Sequence, residues 1–166
     1  LLAYFSPWNT IAKTEVLRKY GGFFDDWRCL YAEDSFLWLK ILLNEPVAIE
    51  LEPLVNFHTE SSSLSGNLLG ARPVEPKLLH NEQIEAVCPE ELKPLLRQII
   101  AIRAMKTACM LSYWGQWRDG RALLRRFCTL NDLTLPNYVV AQLAANPFGS
   151  LVGRSFRAVH GRGITR

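Results

Sequence analysis

The chain has 166 residues, of which 49% are hydrophobic and 21% charged, so it is globular and forms one domain or two small ones. The apolar run at its start is too short for a signal peptide or a membrane span, and the missing initiator Met leads us to expect a fragment of a longer protein. The four cysteines lack metal-ligand spacing and the three histidines lie far from any cysteine pair, which predicts free thiols and argues against a zinc site.

The net charge of +3 is unevenly distributed along the sequence. Residues 1–66 hold 5 Lys and Arg and 9 Asp and Glu, a net charge of −4, whereas residues 67–166 hold 14 and 7, a net charge of +7. The change of sign falls in a polar stretch that is marked by Ser, Gly and Pro, which is typical of a linker. We therefore predict two domains, residues 1–66 and residues 67–166.

The first domain is predicted to mix helix and strand. Residues 10–20 hold a strand end and a helix that stops at a glycine C-cap, Gly21 and Gly22. A second helix over residues 34–43 is apolar on almost every side, so it should be buried. Residues 47–50 and 54–58 are predicted strands. The fold class is thus mainly α with a small β portion.

The second domain is predicted to be all helical. A helix covers residues 76–88, and two more cover residues 118–130 and 136–145. The long helix after Pro89 is followed by a turn over residues 114–117, and this hairpin resembles a single tetratricopeptide-like unit. Because no second copy follows at a fixed period, we expect a helical extension rather than a solenoid. The apolar residues of the long helix recur at helical spacing: Leu92, Leu95, Leu96, Ile99, Ile102, Met105 and Cys109.

An acidic pair, Glu33 and Asp34, opens the predicted buried helix. In one interpretation the two carboxylates cap the helix, since negative charge in a first turn suits the helix dipole. In the other, one carboxylate reaches a cleft and takes a proton from a substrate hydroxyl. The spacing alone favours capping, because caps are common and catalytic carboxylates are rare.

Several segments of the first domain, in their order and spacing, resemble the C-terminal part of a GT-A glycosyltransferase of family two. In that family a helix leads into a Gly-Gly-Phe-Asp turn, and an acidic pair opens the next helix. The predicted strands and the serines after them are similar to the family's closing hairpin. The segments are residues 13–17 (KTEVL), 20–23 (YGGF), 33–40 (EDSFLWLK) and 47–58.

The resemblance implies inverting transfer of a sugar from a nucleotide-sugar donor to the hydroxyl of a glycan or lipid-linked acceptor, in the synthesis of cell-envelope polysaccharide. It implies Asp34 as the general base that removes the acceptor proton, and Glu33 as its partner or as a residue that positions the acceptor. Trp27, Asp26 and His58 are the candidate substrate-binding residues, with Trp27 placed to stack on the acceptor.

The family holds a divalent metal, Mn²⁺ or Mg²⁺, in an Asp-x-Asp motif, where it neutralises the departing diphosphate. No Asp-x-Asp occurs in this sequence. We therefore expect the metal site to lie upstream of Leu1, no metal to be held by this fragment alone, and no turnover by the fragment. The expected location is the cytoplasm or the inner face of the membrane.

The basic residues of the second domain leave another class of function open: a non-enzymatic helical interaction module. Arg118, Arg121 and Arg125 share one helix face, which is either a solvated surface or a contact for anionic lipid or a phosphate-bearing acceptor. Residues 151–166 carry four arginines and no acid, and form either a frayed end or a helix on an anionic membrane. Nucleic acid is not an expected partner, because aromatic and basic residues do not alternate.

Overall fold

The computed structural model describes residues 7, 9–26, 31–50, 52, 55–56 and 71–160, the last five without their side chains. These residues are mainly helical, which confirms the predicted class in its main part. The chain divides into two compact units, Leu1–Leu68 with Pro73–Lys93, and Leu69–Arg72 with Pro94–Arg166. The boundary at residue 66 remains a prediction about domains, since the helices after the linker are shared between the two units.

In the first unit, helix α1 spans Thr14–Lys19 and helix α2 spans Glu33–Asn44. The predicted glycine C-cap of α1 is confirmed, because Gly21 and Gly22 have φ angles of +86° and +73°. Only glycine takes this left-handed conformation at little cost. The N–H of Gly22 donates to the carbonyl of Leu17 at 2.9 Å, and this bond closes the helix.

Helix α2 is buried along most of its length, as its apolar sequence predicts. Its side chains from Phe36 to Ile41 are all buried. Two short helices, α3 (Pro76–Leu79) and α4 (Asn81–Glu85), pack on it. We predicted one helix over residues 76–88, but the backbone of His80, at φ −121° and ψ 39°, separates the two pieces.

The strand predictions for the first unit are wrong where the structure can test them. Residues 46–50 and 55–56 form no strand, and the residues before α1 from 10 to 13 form none either. A strand is stable only when a neighbour pairs with its backbone, and residues 47–49 make no backbone hydrogen bond within the described part of the chain. The side chains of Val47 and Ile49 are exposed rather than packed. The other residues of the predicted strand 54–58 lie outside the described part.

The second unit is a set of helices joined by short turns. A 3₁₀ turn, Glu90–Leu92, leads into helix α5 (Lys93–Tyr113), which enters this unit at Pro94. Gly115, at φ +95°, makes the predicted turn into the next helix. The remaining helices are α6 (Trp117–Phe127), α7 (Leu135–Ala144) and α8 (Pro147–His160). In the part of the chain that is described, no helix is both long and apolar enough to cross a membrane.

Small residues make the closest contacts in the second unit. Ala101, Ala104 and Ala108 of α5 are fully buried. Gly120 of α6 lies so close to them that a Cβ added there would sit 2.7 Å from the carbonyl oxygen of Ala108. At Gly120 the two helix backbones therefore meet with almost no side chain between them.

The helix that the apolar spacing of α5 predicted is confirmed. Of the residues in that spacing, Leu96 is buried, but Leu95 and Ile102 are exposed. The buried face runs through Ile100, Leu111 and three alanines and ends at Ser112, whose hydroxyl donates to the carbonyl of Ala108 at 2.8 Å.

Candidate functional site at the start of helix α2

The acidic pair occupies the first turn of α2, as predicted. Asp34 Oδ1 accepts a hydrogen bond from the backbone N–H of Ser35 at 2.7 Å. This N–H is one of those that a helix start leaves without a partner inside the helix, so Asp34 does stabilise the first turn. The carboxylate is only half-buried, and Asp34 Oδ2 has no hydrogen-bond partner among the described residues. One oxygen is thus held in place while the other remains able to accept a proton.

A buried ion pair lies next to this turn. Lys77 Nζ is 2.7 Å from Glu75 Oε2, and the two side chains are only 5% and 1% exposed. Lys77 Nζ also donates to Ser35 Oγ at 2.8 Å, and Ser35 Oγ in turn donates to the carbonyl of Ala32 at 2.9 Å. We call Asp34, Ser35, Glu75 and Lys77 the Lys77 cluster. It connects the start of α3 to the first turn of α2.

The electrostatics of the Lys77 cluster follow from its burial. Loss of hydration lowers the pKa of Lys77 to about 8, while the charges of Tyr31 and Asp34 act in the opposite direction. Lys77 therefore remains a cation at neutral pH but gives up its proton more easily than a surface lysine. The hydroxyl of Tyr31 also lies 3.5 Å from Glu75 Oε1, at the rim of the cluster.

Sequence reasoning missed Lys77, Glu75 and Ser35 as parts of this site. Lys77 hydrogen-bonds to a residue 42 positions away, and the predicted boundary at residue 66 lies between them. The one available signal was the pair of opposite charges on either side of Pro76, just before an apolar helix. Such a pattern is common on surfaces, so it gives no indication that the pair is buried.

The loop before α2 is fixed by aromatic contacts. The ring of Phe24 lies 5.1 Å from that of Phe36 and 4.9 Å from that of His80, so it anchors the loop between α2 and the start of α4. Phe23 contacts Trp38 edge to face at 5.8 Å but remains exposed, so it anchors the loop only in part.

The other predicted site residues do not join the Lys77 cluster in the described structure. Glu33 is half-buried and its side chain makes no hydrogen bond within the described residues. Its carbonyl accepts from the N–H of Phe24 at 3.4 Å, which places the loop beside α2. Asp26, two residues further along the loop, is exposed. Trp27 and His58 lie outside the described residues.

The residues of the described chain do not offer a metal site. No three His, Cys, Asp or Glu side chains among them lie close enough together to hold an ion. The divalent metal that the resemblance implies therefore has no ligand set in this part of the chain. The chemistry that the site itself can supply is acceptance of a proton by Asp34, next to a buried cation.

Comparison of the chain with protein-family models, with curated proteins and with solved structures finds no match.

Proposed function

We propose that the chain is the C-terminal part of a GT-A glycosyltransferase of family two, and that Asp34 is the general base of an inverting sugar transfer. The observation that supports this most directly is the state of the Asp34 carboxylate. Its Oδ1 is fixed by the Ser35 N–H, while the residue is half-buried and its Oδ2 has no hydrogen-bond partner among the described residues. A general base needs this combination of a fixed orientation and a free oxygen.

In the proposed reaction, the acceptor hydroxyl attacks the anomeric carbon of the nucleotide sugar. The bond from that carbon to the diphosphate oxygen breaks, and its electron pair leaves with the nucleoside diphosphate. Asp34 Oδ2 takes the hydroxyl proton and later releases it to solvent. The ammonium of Lys77, which interacts electrostatically with Asp34, contributes positive charge beside the base.

The remaining roles follow the same proposal. Glu33, next to the base, positions the acceptor. Asp26, Trp27 and His58 contact the sugar donor or acceptor, and Trp27 stacks on a sugar ring. The acceptor is a glycan or a lipid-linked sugar of the cell envelope, and the reaction takes place in the cytoplasm or at the inner face of the membrane. A divalent metal, Mn²⁺ or Mg²⁺, would neutralise the charge of the departing diphosphate.

Replacement of Asp34 by Asn in the full-length protein tests the base. The amide oxygen of Asn can still accept from the Ser35 N–H, so the first turn of α2 and donor binding should be preserved. The amide cannot take a proton, and we expect kcat to fall by roughly 10²- to 10⁴-fold. Release of nucleoside diphosphate measures kcat, and calorimetry measures donor affinity.

Glu33→Gln is the matched control, because it removes a neighbouring carboxylate from the same turn. We expect a smaller loss of kcat, together with a raised KM for the acceptor. Retention of most of the activity by Asp34→Asn would contradict the assignment of the base. Equal losses in both variants, with unchanged donor affinity, would indicate that the turn rather than the proton acceptor matters.

The alternative is a helical interaction module without catalytic activity. The observation in its favour is the set of large apolar side chains exposed on α7 and α8. The full-length sequence separates the two: a strand-rich segment with Asp-x-Asp ahead of Leu1 supports the enzyme, and an unrelated domain supports the module. Turnover of a panel of nucleotide sugars by the full-length protein decides between them.

A further inference from the structure

Helix α7 exposes an apolar face. Leu135, Val139 and Leu143 recur every four residues along it, so they form one ridge, and all three are exposed. Val140 lies beside them and is also exposed, whereas Ala141 on the opposite side is buried. An amphipathic helix in a soluble domain usually buries its large aliphatic side chains and exposes its polar ones. In α7 the largest aliphatic side chains face outward.

Helix α8 shows the same inversion. It packs inward through glycines: a Cβ added at Gly153 would lie 2.9 Å from the carbonyl oxygen of Tyr113, at the end of α5. Phe148, Leu151 and Val152 are left outside, with Phe148 73% exposed and Leu151 57% exposed. The apolar side chains of this part of α8 therefore do not take part in holding the helix on the unit.

The corner between the two helices is well fixed. Asn146 Oδ1 accepts from the N–H of Gly149 at 2.9 Å, which caps the start of α8, and Pro147 occupies the first helical position. Asn146 Nδ2 donates to the carbonyl of Leu143 at 2.6 Å at the end of α7. The exposed faces thus belong to two helices that contact each other. We call this set the α7–α8 apolar surface: Leu135, Val139, Val140, Leu143, Phe148, Leu151 and Val152.

The charge of the unit that carries this surface is strongly positive. Leu69–Arg72 and Pro94–Arg166 together hold 12 Lys and Arg and only 2 acids, Asp119 and Asp132, a net charge of +10. No acid follows Asp132 in the sequence. Arg154 on α8 is exposed and lies three residues after Leu151, and its guanidinium lies beside Gly115 at the turn between α5 and α6.

We propose that the α7–α8 apolar surface docks on an anionic membrane. Helices with a cationic border and exposed Phe, Leu and Val side chains lie in the plane of the lipid headgroups, with the apolar side chains in the acyl boundary. An apolar protein partner would account for the exposed aliphatics but not for the net charge of +10. A nucleic acid would account for the charge but leave the aliphatics exposed. This proposal does not rest on the proposed transferase activity.

Electrostatic attraction and apolar insertion, the two contributions to membrane binding, respond differently to salt. Each Lys or Arg near an anionic leaflet contributes roughly 1 kcal/mol, or about a fivefold change in partitioning, and the effect decays over a Debye length of about 10 Å in 0.1 M salt. Apolar insertion is largely independent of salt. Binding should therefore require anionic lipid and weaken with added salt, and it should also depend on the aliphatic side chains.

Co-sedimentation of the 166-residue chain with vesicles tests the proposal. Vesicles of phosphatidylcholine with phosphatidylglycerol should bind the protein at low salt, and vesicles of phosphatidylcholine alone should not. Leu143→Ser with Leu151→Ser should lower partitioning at least about tenfold, because both side chains leave the acyl boundary. Arg154→Gln with Arg157→Gln should lower it about thirtyfold.

Matched variants in the first unit serve as controls. Ile11→Ser with Ile49→Ser removes two exposed aliphatics, and Lys13→Gln with Arg18→Gln removes two exposed cations. Both should partition like the wild type. Circular dichroism checks that each variant remains helical.

Three results would overturn the proposal. One is a wild type that does not sediment with anionic vesicles at low salt. Another is a serine variant that binds these vesicles as well as the wild type does, because the contact is then electrostatic only, as with a nucleic acid. The third is a self-associated wild type that the serine substitutions convert to monomer without changing vesicle binding, because the surface then joins two copies.

Discussion

The two compact units differ in charge and in where they place their large apolar side chains. The first unit holds 7 Lys and Arg and 14 Asp and Glu, a net charge of −7, against +10 for the second. In the first unit, the large apolar side chains of α2 are buried, and the buried ion pair of the Lys77 cluster lies beside the first turn of that helix. In the second, alanines and glycines share the interior with Leu96, Ile100, Leu111 and Leu124, while leucines and valines of α7 and α8 face outward.

This difference shows that apolar content does not reveal what stabilises a unit. The first unit combines hydrophobic burial with a polar network that must stay fully paired, because a buried charge without its partner is costly. The second combines buried aliphatic side chains with a close backbone contact at Gly120, where dispersion acts over short distances. Its exposed aliphatics are therefore available for another surface.

A substitution in the Lys77 cluster should have the largest effect on the free energy of unfolding. Lys77→Met keeps most of the side-chain volume but leaves the Glu75 carboxylate buried without its cation. We expect the free energy of unfolding of the first unit to fall by about 3–5 kcal/mol. Urea unfolding followed by tryptophan fluorescence, through Trp38 of α2, measures the loss.

The double variant Lys77→Met with Glu75→Gln is the control, since it removes both charges. The stability should return to within about 2 kcal/mol of the wild type, because replacing a whole buried pair is often nearly neutral. If the double variant is less stable than Lys77→Met alone, the pair is not an isolated unit and the carboxylate has a further structural role.

The two units differ in how much of their fold and of the candidate site could be predicted from the sequence. The buried α2, its first-turn carboxylates and the glycine C-cap before it were predicted correctly, because each depends on neighbouring residues: an apolar run, a helix start and two glycines. The Lys77 cluster could not be predicted, because it depends on which distant segment packs against α2. Residues 47–50 failed as strands for the same reason, since a strand requires a partner elsewhere in the chain.

In the second unit the positions of the helices were predicted well and their faces were not. Turn residues and prolines placed α5, α6 and α7 within a few residues. The periodicity of large side chains predicted the helix α5 but not its buried face, where Leu95 and Ile102 are exposed and Ala104 and Ala108 are buried. Small residues give a weak hydrophobic signal, yet they allow the closest backbone contact. The α8 part of the α7–α8 apolar surface was one of two alternatives for residues 151–166, whereas the exposed face of α7 was missed because exposure cannot be read from an apolar pattern.

A substitution at the close contact of α5 and α6 should have an intermediate effect on stability. A Cβ at Gly120 would lie 2.7 Å from the backbone oxygen of Ala108 and 2.9 Å from Ser112 Oγ, so the helices must move apart. We expect Gly120→Ala to lower the stability of the second unit by about 1–3 kcal/mol. The higher helix propensity of alanine offsets at most about 1 kcal/mol of this. Thermal unfolding followed by circular dichroism measures the net loss.

Ala122→Gly, at an exposed position of the same helix, is the control for helix propensity alone. It should lower stability by about 1 kcal/mol. If Gly120→Ala instead stabilises the unit, the two helices do not pack as closely as the structure shows, and the contrast between the units becomes weaker.

Substitutions on the α7–α8 apolar surface should have the smallest effect on the free energy of unfolding. Leu143 is 64% exposed and Leu151 is 57% exposed, so their side chains already contact solvent in the folded protein. Leu143→Ser or Leu151→Ser should therefore change the free energy of unfolding by no more than about 0.5 kcal/mol. Replacement of the buried Leu124 by Ala on α6 should cost about 2–5 kcal/mol in the same assay. If either serine variant loses stability on the scale of Leu124→Ala, the surface is covered within the folded protein and is not free to meet a membrane. If both remain as stable as the wild type, these aliphatics contribute little to the fold, and their role must lie in contact with something outside it.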